Sequence, residues 1–135
     1  MTKLSEIHTL RLVPEQDLKA EIEKFVQERK IRAGVILTCV GSLKQATIRL
    51  ADESVTKTFN EKFEITGLSG TLSADGNHIH ITLANKKGIA IGGHLKENCI
   101  IYSTAEIVIG ELDNIEYIRE FDKITGFREL KVSSH

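Results

Sequence analysis

A chain of 135 residues with 41% hydrophobic and 27% charged residues has the length and composition of one folded domain. It has no apolar run near the ~20 residues that cross a bilayer and no secretory signal pattern, so we expect a cytoplasmic protein without membrane contact. The 18 basic residues are balanced by 19 acidic ones, and no four basic residues are consecutive. The charge pattern therefore gives no support for DNA binding, which depends on Lys and Arg neutralising phosphates.

The first strongly periodic segment is an amphipathic helix between Asp17 and Arg29. Its apolar residues recur with helical spacing and form one stripe. They are Leu18, Ile22, Phe25 and Val26.

Short β-strands are predicted after this helix, at residues 35–40, 46–50, 63–72, 79–83, 89–95 and 100–109. Gly41-Ser42 is predicted to break the first two apart. One early helix and six or so strands predict a single α+β domain over residues 1–135, built on a largely antiparallel sheet. The polar tail, residues 131–135, is expected to fray, so His135 is given no functional role. Cys39 and Cys99 lie far apart in apolar segments and are predicted to be buried, reduced thiols.

Three histidines lie in one glycine-flanked stretch: His78, His80 and His94. Because side chains alternate across a strand, His78 and His80 share one face. The connection Asn85-Lys86-Lys87-Gly88 has the pattern of a type I turn closed by a left-handed glycine. That turn pairs Asn85 with Ile89 and places His80 opposite His94, with His78 on the same face.

The alternative is a two-residue turn at Lys86-Lys87, which would shift the register by one and send His94 to the other face. In the first register, opposed Cβ atoms lie ~4.5–5.5 Å apart, within reach of a common metal. The histidines then form either a half-exposed polar face or a three-imidazole site for zinc or another divalent transition metal. Three ligands leave a fourth position for water or a carboxylate, which permits catalysis without proving it.

Two charged residues interrupt apolar strands. Glu106 is a candidate catalytic residue, as a general base or as a hydrogen-bond partner of a metal ligand; the alternative is a rim residue that reaches solvent. Arg11 is predicted to pair with a buried acid, with an anion as the alternative partner. No Ser-His-Asp spacing, phosphate loop or G-x-G-x-x-G indicates a nucleotide enzyme.

An ordered series of motifs resembles the PPC domain, the "plants and prokaryotes conserved" domain, which occurs alone in bacteria and archaea and joined to AT-hooks in plant nuclear proteins. The resemblance extends over about residues 10–130. It is carried by Leu10-Arg11-Leu12-Val13-Pro14-Glu15-Gln16-Asp17-Leu18, Gly41-Ser42-Leu43, Phe63-Glu64-Ile65, Leu68-Ser69-Gly70-Thr71-Leu72, Asp75-Gly76 with His78 and His80, Ile91-Gly92-Gly93-His94-Leu95, Thr104-Ala105-Glu106 and Thr125-Gly126-Phe127-Arg128-Glu129-Leu130.

The resemblance implies an α+β fold, a homotrimer and a metal at His78, His80 and His94. Members are often labelled DNA-binding, but this chain has no Arg-Gly-Arg-Pro AT-hook, the element that reads the minor groove in plant members. Lys62-Phe63-Glu64-Ile65 only approximates their Arg-Phe-Glu-Ile interaction motif, and Pro14-Glu15 stands where the family usually has Pro-Gly. The DNA-binding label therefore transfers weakly.

Two functions remain open. One is a homotrimeric regulatory or assembly module that contacts partners or DNA, with a structural metal. The other is a small metal-dependent enzyme, a hydrolase or lyase, in which Glu106 or a neighbouring subunit's residue transfers the proton. The sequence identifies no substrate and does not decide whether the protein is an enzyme.

Overall fold

The computed structural model describes residues 1–134. Within them, one helix and nine strands follow in the order β1 (Leu4–Leu12), α1 (Leu18–Arg29), β2 (Gly34–Arg49), β3 (Thr56–Phe59), β4 (Phe63–Leu72), β5 (His78–Ala84), β6 (Ala90–Leu95), β7 (Ile100–Leu112), β8 (Ile115–Phe121) and β9 (Arg128–Ser134). The predicted single small α+β domain with an antiparallel sheet is confirmed. In this described part of the chain, the helix is neither long nor apolar enough to cross a membrane.

Seven strands form one sheet in the order β1-β7-β2-β4-β5-β6, with β3 paired to β2. The long strand β2 pairs with β7 and β4 over its first part and with β3 and β6 at its end. Because β6 pairs with both β5 and β2, the sheet curls back on itself and brings His94 opposite Arg49. Strands β8 and β9 form a separate two-stranded sheet.

The helix α1 covers the core face of the sheet. Asp17 caps its N-terminus by accepting a hydrogen bond from the N–H of Ala20 at 3.0 Å, as expected for an acidic residue at this position. Its apolar stripe is fully buried at Leu18, Ile22 and Val26. The predicted helix is thus confirmed, and packing of this stripe supplies most of its stability.

The predicted break at Gly41-Ser42 is wrong, because β2 continues through it. Gly41 pairs with Ala105 of β7 and Ile65 of β4. A Cβ at Gly41 would lie 2.1 Å from the carbonyl oxygen of Thr104 and 2.7 Å from Cα of Ala105. The absence of a side chain at Gly41 therefore lets β2 and β7 approach closely. From the sequence alone, a glycine of this kind looks the same as a glycine in a turn.

The C-terminal segment is also more ordered than predicted. Strands β8 and β9 pair over seven positions, from Ile115 with Ser134 to Phe121 with Arg128. The expected fraying is thus wrong for residues 131–134, while His135 lies outside the described residues. These strands and β3 escaped prediction because none of them alternates between buried and exposed side chains: β3 and β9 are largely exposed, and β8 is mostly half-buried.

Both cysteines are buried and free, as predicted. Burial raises the pKa of the Cys39 and Cys99 thiols to about 11, and the Glu106 carboxylate adds to the effect at Cys39. Because the thiolate is the reactive form, we expect a thiol reagent at pH 8 to modify neither cysteine in the folded protein and both after denaturation. Rapid labelling of either thiol without denaturant would contradict this expectation.

Candidate metal centre

The hairpin of β5 and β6 has the predicted register. His80 lies opposite His94, and the N–H of Asn85 donates to the carbonyl of Ile89 at 3.0 Å. Gly88 has a φ of 77°, and its N–H donates to the carbonyl of Asn85 at 2.8 Å, which closes the turn. The alternative two-residue turn is therefore excluded, and His94 stays on the face of His80.

The three imidazoles are in mutual contact on the side of the hairpin away from the core. The ring centroids lie 4.8 Å apart for His78 and His80, 5.3 Å for His78 and His94, and 5.7 Å for His80 and His94. One ligand atom from each ring lies within 4.8 Å of the others. Three nitrogens from two strands thus converge on one small volume.

The closest pair of nitrogens has a separation that suits a shared metal ion. The Nε2 atoms of His78 and His80 lie 3.1 Å apart, whereas tetrahedral zinc with ~2.0–2.1 Å bonds separates neighbouring ligands by about 3.3 Å. In addition, the buried Nδ1 of His94 has no hydrogen-bond partner among residues 1–134. The geometry fits a metal with imidazole ligands.

Two of the imidazoles, those of His78 and His94, are held in the neutral form that binds metals. Burial, followed by the positive charge of Arg49, lowers the pKa of His94 to about 4. Burial also lowers the pKa of His78, with smaller contributions from His80 and Arg119. At neutral pH both rings therefore carry free electron pairs, and protons do not compete with a metal for them.

Gly93 lies where β6 approaches β2. A Cβ at Gly93 would lie 2.5 Å from the carbonyl oxygen of Arg49. Gly93 therefore permits the closure of β6 on β2 that brings Arg49 next to His94.

A cavity of about 330 Å³ opens beside His78 and His94. Its other walls include Arg49 from the end of β2, Arg119 from β8 and Arg128 from β9. Sequence reasoning missed these arginines, because the C-terminal hairpin reaches the site only through tertiary packing. The local signal was weak at Arg49, a single charge at the end of an apolar segment.

A second cluster, Glu6, His8 and Glu111, was also missed. Nε2 of His8 lies 3.5 Å from Oε2 of Glu6 and 3.4 Å from Oε2 of Glu111, and its ring packs edge-on against Phe25. Glu6 and Glu111 face each other across β1 and β7. The imidazole thus lies between two opposed carboxylates. This contact could not be predicted, because Glu111 is far from Glu6 and His8 in the sequence.

Glu106 and Arg11 lie elsewhere. Glu106 is exposed and pairs with Val40 of β2. His94 pairs with Arg49 of the same strand, nine residues further along, and nine residues of β-strand extend over about 30 Å. Its predicted proton transfer at the histidines would therefore need the Glu106 of another subunit. The predicted pairing of Arg11 with a buried acid is wrong: Arg11 is exposed, and its Nε donates to Oγ1 of Thr104 at 3.1 Å.

The model of the Plants and Prokaryotes Conserved (PCC) domain, the PPC domain of the sequence resemblance, matches residues 2–113. The chain belongs to this family. Two Synechococcus proteins, each named "Bifunctional protein GlmU", are 45% and 44% identical to this PPC chain over 127 and 126 residues, which are 94% and 93% of it. The PPC chain spans only 20% of the length of these relatives.

Solved structures share the fold of this PPC chain. A hypothetical protein of Salmonella enterica has a TM-score of 0.94 and 34% identity, with 100% of this chain and 96% of that one covered. A metal-containing protein of Archaeoglobus fulgidus has a TM-score of 0.84 and 30% identity, with 97% of this chain and 96% of that one covered. A Bacteroides thetaiotaomicron protein named as a candidate DNA-binding protein has a TM-score of 0.85, with 96% of this chain and 94% of that one covered. Because its identity is only 23%, this likeness shows the fold alone.

Proposed function

We propose that this PPC protein binds one divalent transition metal ion through His78, His80 and His94 and leaves one coordination position open. The observation that carries the proposal is the convergence of three imidazoles, with one pair of nitrogens 3.1 Å apart. A hydrogen bond between His78 and His80 would account for two of the rings but not for the buried Nδ1 of His94. The Archaeoglobus fulgidus relative, named as metal-containing, supports the same conclusion.

Zinc is the ion we expect, although three imidazoles also suit copper, iron or nickel. Elemental analysis of protein purified without a polyhistidine tag should find about one metal ion per chain, which dialysis against a chelator removes. Failure to take up any metal after incubation with zinc, copper, iron and nickel salts in turn would contradict the proposal.

We propose further that residues 1–135 form one domain that assembles as a homotrimer. Support comes from apolar side chains on the outer face of β1, β7 and β2, opposite α1. Ile7 and Val40 are 60% and 56% exposed, and Leu4 and Leu37 fill the space over Gly110. Exposed apolar side chains on one face of a sheet are typical of an interface between protein chains.

Val40→Lys should dissociate the assembly, because it would bury a lysine charge in the interface that this face forms. The matched control is Ile124→Lys, since Ile124 is 95% exposed in the turn between β8 and β9. Light scattering after gel filtration should give a trimer mass for the wild type and the control and a monomer mass for Val40→Lys. A trimer for all three proteins would place the interface elsewhere, and a wild-type monomer would refute the assembly.

A catalytic function is the second candidate, and the cavity beside His78 and His94 favours it. A bound zinc ion would supply Lewis acidity and lower the pKa of a water at the open position. The chain's own contribution is to hold His78 and His94 neutral. It also lines the approach with the guanidinium groups of three arginines, Arg49, Arg119 and Arg128. The reaction class we propose in that case is hydrolysis or lyase chemistry.

DNA binding receives less support. It comes from the name of the Bacteroides thetaiotaomicron structure and from the family label. The net charge of −1 and the absence of an AT-hook in this sequence count against it. The two reduced cysteines fit a reducing compartment, so we propose a cytoplasmic location.

A further inference from the structure

The charged side chains that line the cavity beside the histidines carry a net positive charge. Three guanidinium groups line it, from Arg49, Arg119 and Arg128, against two carboxylates, from Asp75 and Glu129. Its volume of about 330 Å³ is within the range of sites that hold small molecules.

The carboxylates do not neutralise the three guanidinium groups evenly. Asp75 is the partner of Arg128, at 3.7 Å, and its Oδ2 also accepts the backbone N–H of Arg119 at 2.6 Å. The guanidinium of Arg119 donates to the neutral Oγ1 of Thr71 at 3.0 Å. Within residues 1–134, neither Arg49 nor the Arg119 guanidinium has a carboxylate at ion-pair distance.

Arg49 is held against an aromatic ring beside the histidines. It is half-buried, lies opposite His94 across β2 and β6, and has its guanidinium carbon 6.0 Å from the centre of the Phe127 ring. An arginine held against an aromatic ring without a carboxylate partner presents its remaining N–H groups in a fixed fork. Such a fork suits the paired oxygens of a carboxylate or phosphate.

A metal ion in this setting needs a compensating charge. Neutral imidazoles contribute none, so a divalent cation would add two positive charges beside two guanidinium groups that have no carboxylate partner. Repulsion between like charges that are close together is substantial in a partly buried site. An anion at the open coordination position would remove it and at the same time satisfy the arginines.

We propose that the cavity binds a small organic anion whose carboxylate or phosphate group lies between the metal position and the guanidinium groups of Arg49 and Arg119. Phe127 provides an apolar surface for the remainder of the molecule. The proposal rests on the metal site proposed above and adds a ligand class to it.

The test uses inorganic phosphate and malonate as probes, with calorimetric titration of the full-length protein at constant ionic strength. The variants are Arg49→Gln and Arg119→Gln. Lys131→Gln is the matched control, because Lys131 carries the same charge on β9 but pairs with Glu120 outside this cavity. We expect at least one probe to bind the zinc-loaded wild type and the control alike. Each arginine variant should weaken that binding at least tenfold while retaining its zinc.

Parallel titrations in chelator separate this proposal from the metal site. If the protein takes up no zinc even without chelator but still binds a probe through Arg49, the metal proposal fails and the anion site stands. Equal binding by wild type and both arginine variants would overturn the anion site, as would binding of neither probe to a protein that holds zinc. A preference between phosphate and malonate identifies which anionic group the site takes. Circular dichroism spectra matching the wild type confirm that the variants are folded.

Discussion

His80→Ala is expected to abolish stoichiometric metal binding. His80 lies beside both other imidazoles: it is opposite His94 on β6 and two residues from His78 on β5. Loss of a group that only orients a metal ligand costs ~10–100-fold in affinity, so removal of a ligand should cost more than about 100-fold. Competition with a chromophoric zinc chelator measures this loss directly.

The matched control for this experiment is His8→Ala. His8 belongs to the other cluster in the described chain that could hold a metal, with Glu6 and Glu111. We expect the His8→Ala protein to keep its zinc. If His8→Ala lost its zinc and His80→Ala kept it, the metal would belong to the cluster of Glu6, His8 and Glu111, and the proposal would be contradicted.

The same experiment has a thermodynamic counterpart. A ligand that binds only the folded state stabilises it by about 2.7 kcal/mol when its free concentration is 100 times its dissociation constant. Zinc should therefore raise the melting temperature of the wild type and of His8→Ala but leave that of His80→Ala unchanged.

Gly41→Ala is expected to lower the free energy of unfolding far more than Gly67→Ala does, although both substitutions add one methyl group to the same sheet. The new Cβ would meet two backbone groups of β7, at 2.1 Å and 2.7 Å. Backbone cannot rotate away as a side chain can, so β2 and β7 would have to separate. Overpacking in cores typically costs about 1–3 kcal/mol, and we expect a loss at or above the top of that range.

Gly67→Ala is the control for Gly41→Ala. Gly67 lies in β4, and the nearest atom to its Cβ would be Cβ of Thr82 at 3.7 Å, an ordinary contact. We expect its free energy of unfolding to stay within about 1 kcal/mol of the wild type, since alanine fixes less backbone entropy on folding than glycine. Urea denaturation measures both variants, and equal stabilities would show that the close approach of β2 and β7 is not rigid.

The histidine hairpin could be predicted because its determinants are local. Alternation fixes the shared face of His78 and His80, and the Asn85 to Gly88 turn fixes the register that brings in His94. Both are properties of adjacent residues, and no distant contact was needed. The amphipathic helix was predictable for the same reason.

The errors arise where distant contacts decide the structure. Gly41 has the composition of a turn, but its conformation depends on β7, more than sixty residues later. Arg49 and Arg119 meet at one cavity only because β6 closes on β2 and because the C-terminal hairpin docks beside Asp75. Neither event leaves a periodic signal in the sequence.

Glu15 shows how a departure from the family pattern is accommodated. It stands where the family usually has glycine, and its backbone is in the left-handed region with a φ of 78°. That conformation explains why glycine is preferred there. The N–H of Glu15 donates to the carbonyl of Ile101 at 3.1 Å, and its carboxylate pairs with Lys44, so the turn is kept with a non-glycine residue.

X-ray absorption at the zinc edge, on protein purified without a tag and loaded with one equivalent of zinc, bears most directly on the metal centre. We expect three imidazole nitrogens at ~2.0–2.1 Å and one further oxygen or nitrogen ligand, and loss of this imidazole scattering in His80→Ala. Sulfur ligands at ~2.3 Å, or a shell of oxygens without imidazole scattering, would contradict the assignment of the metal to His78, His80 and His94.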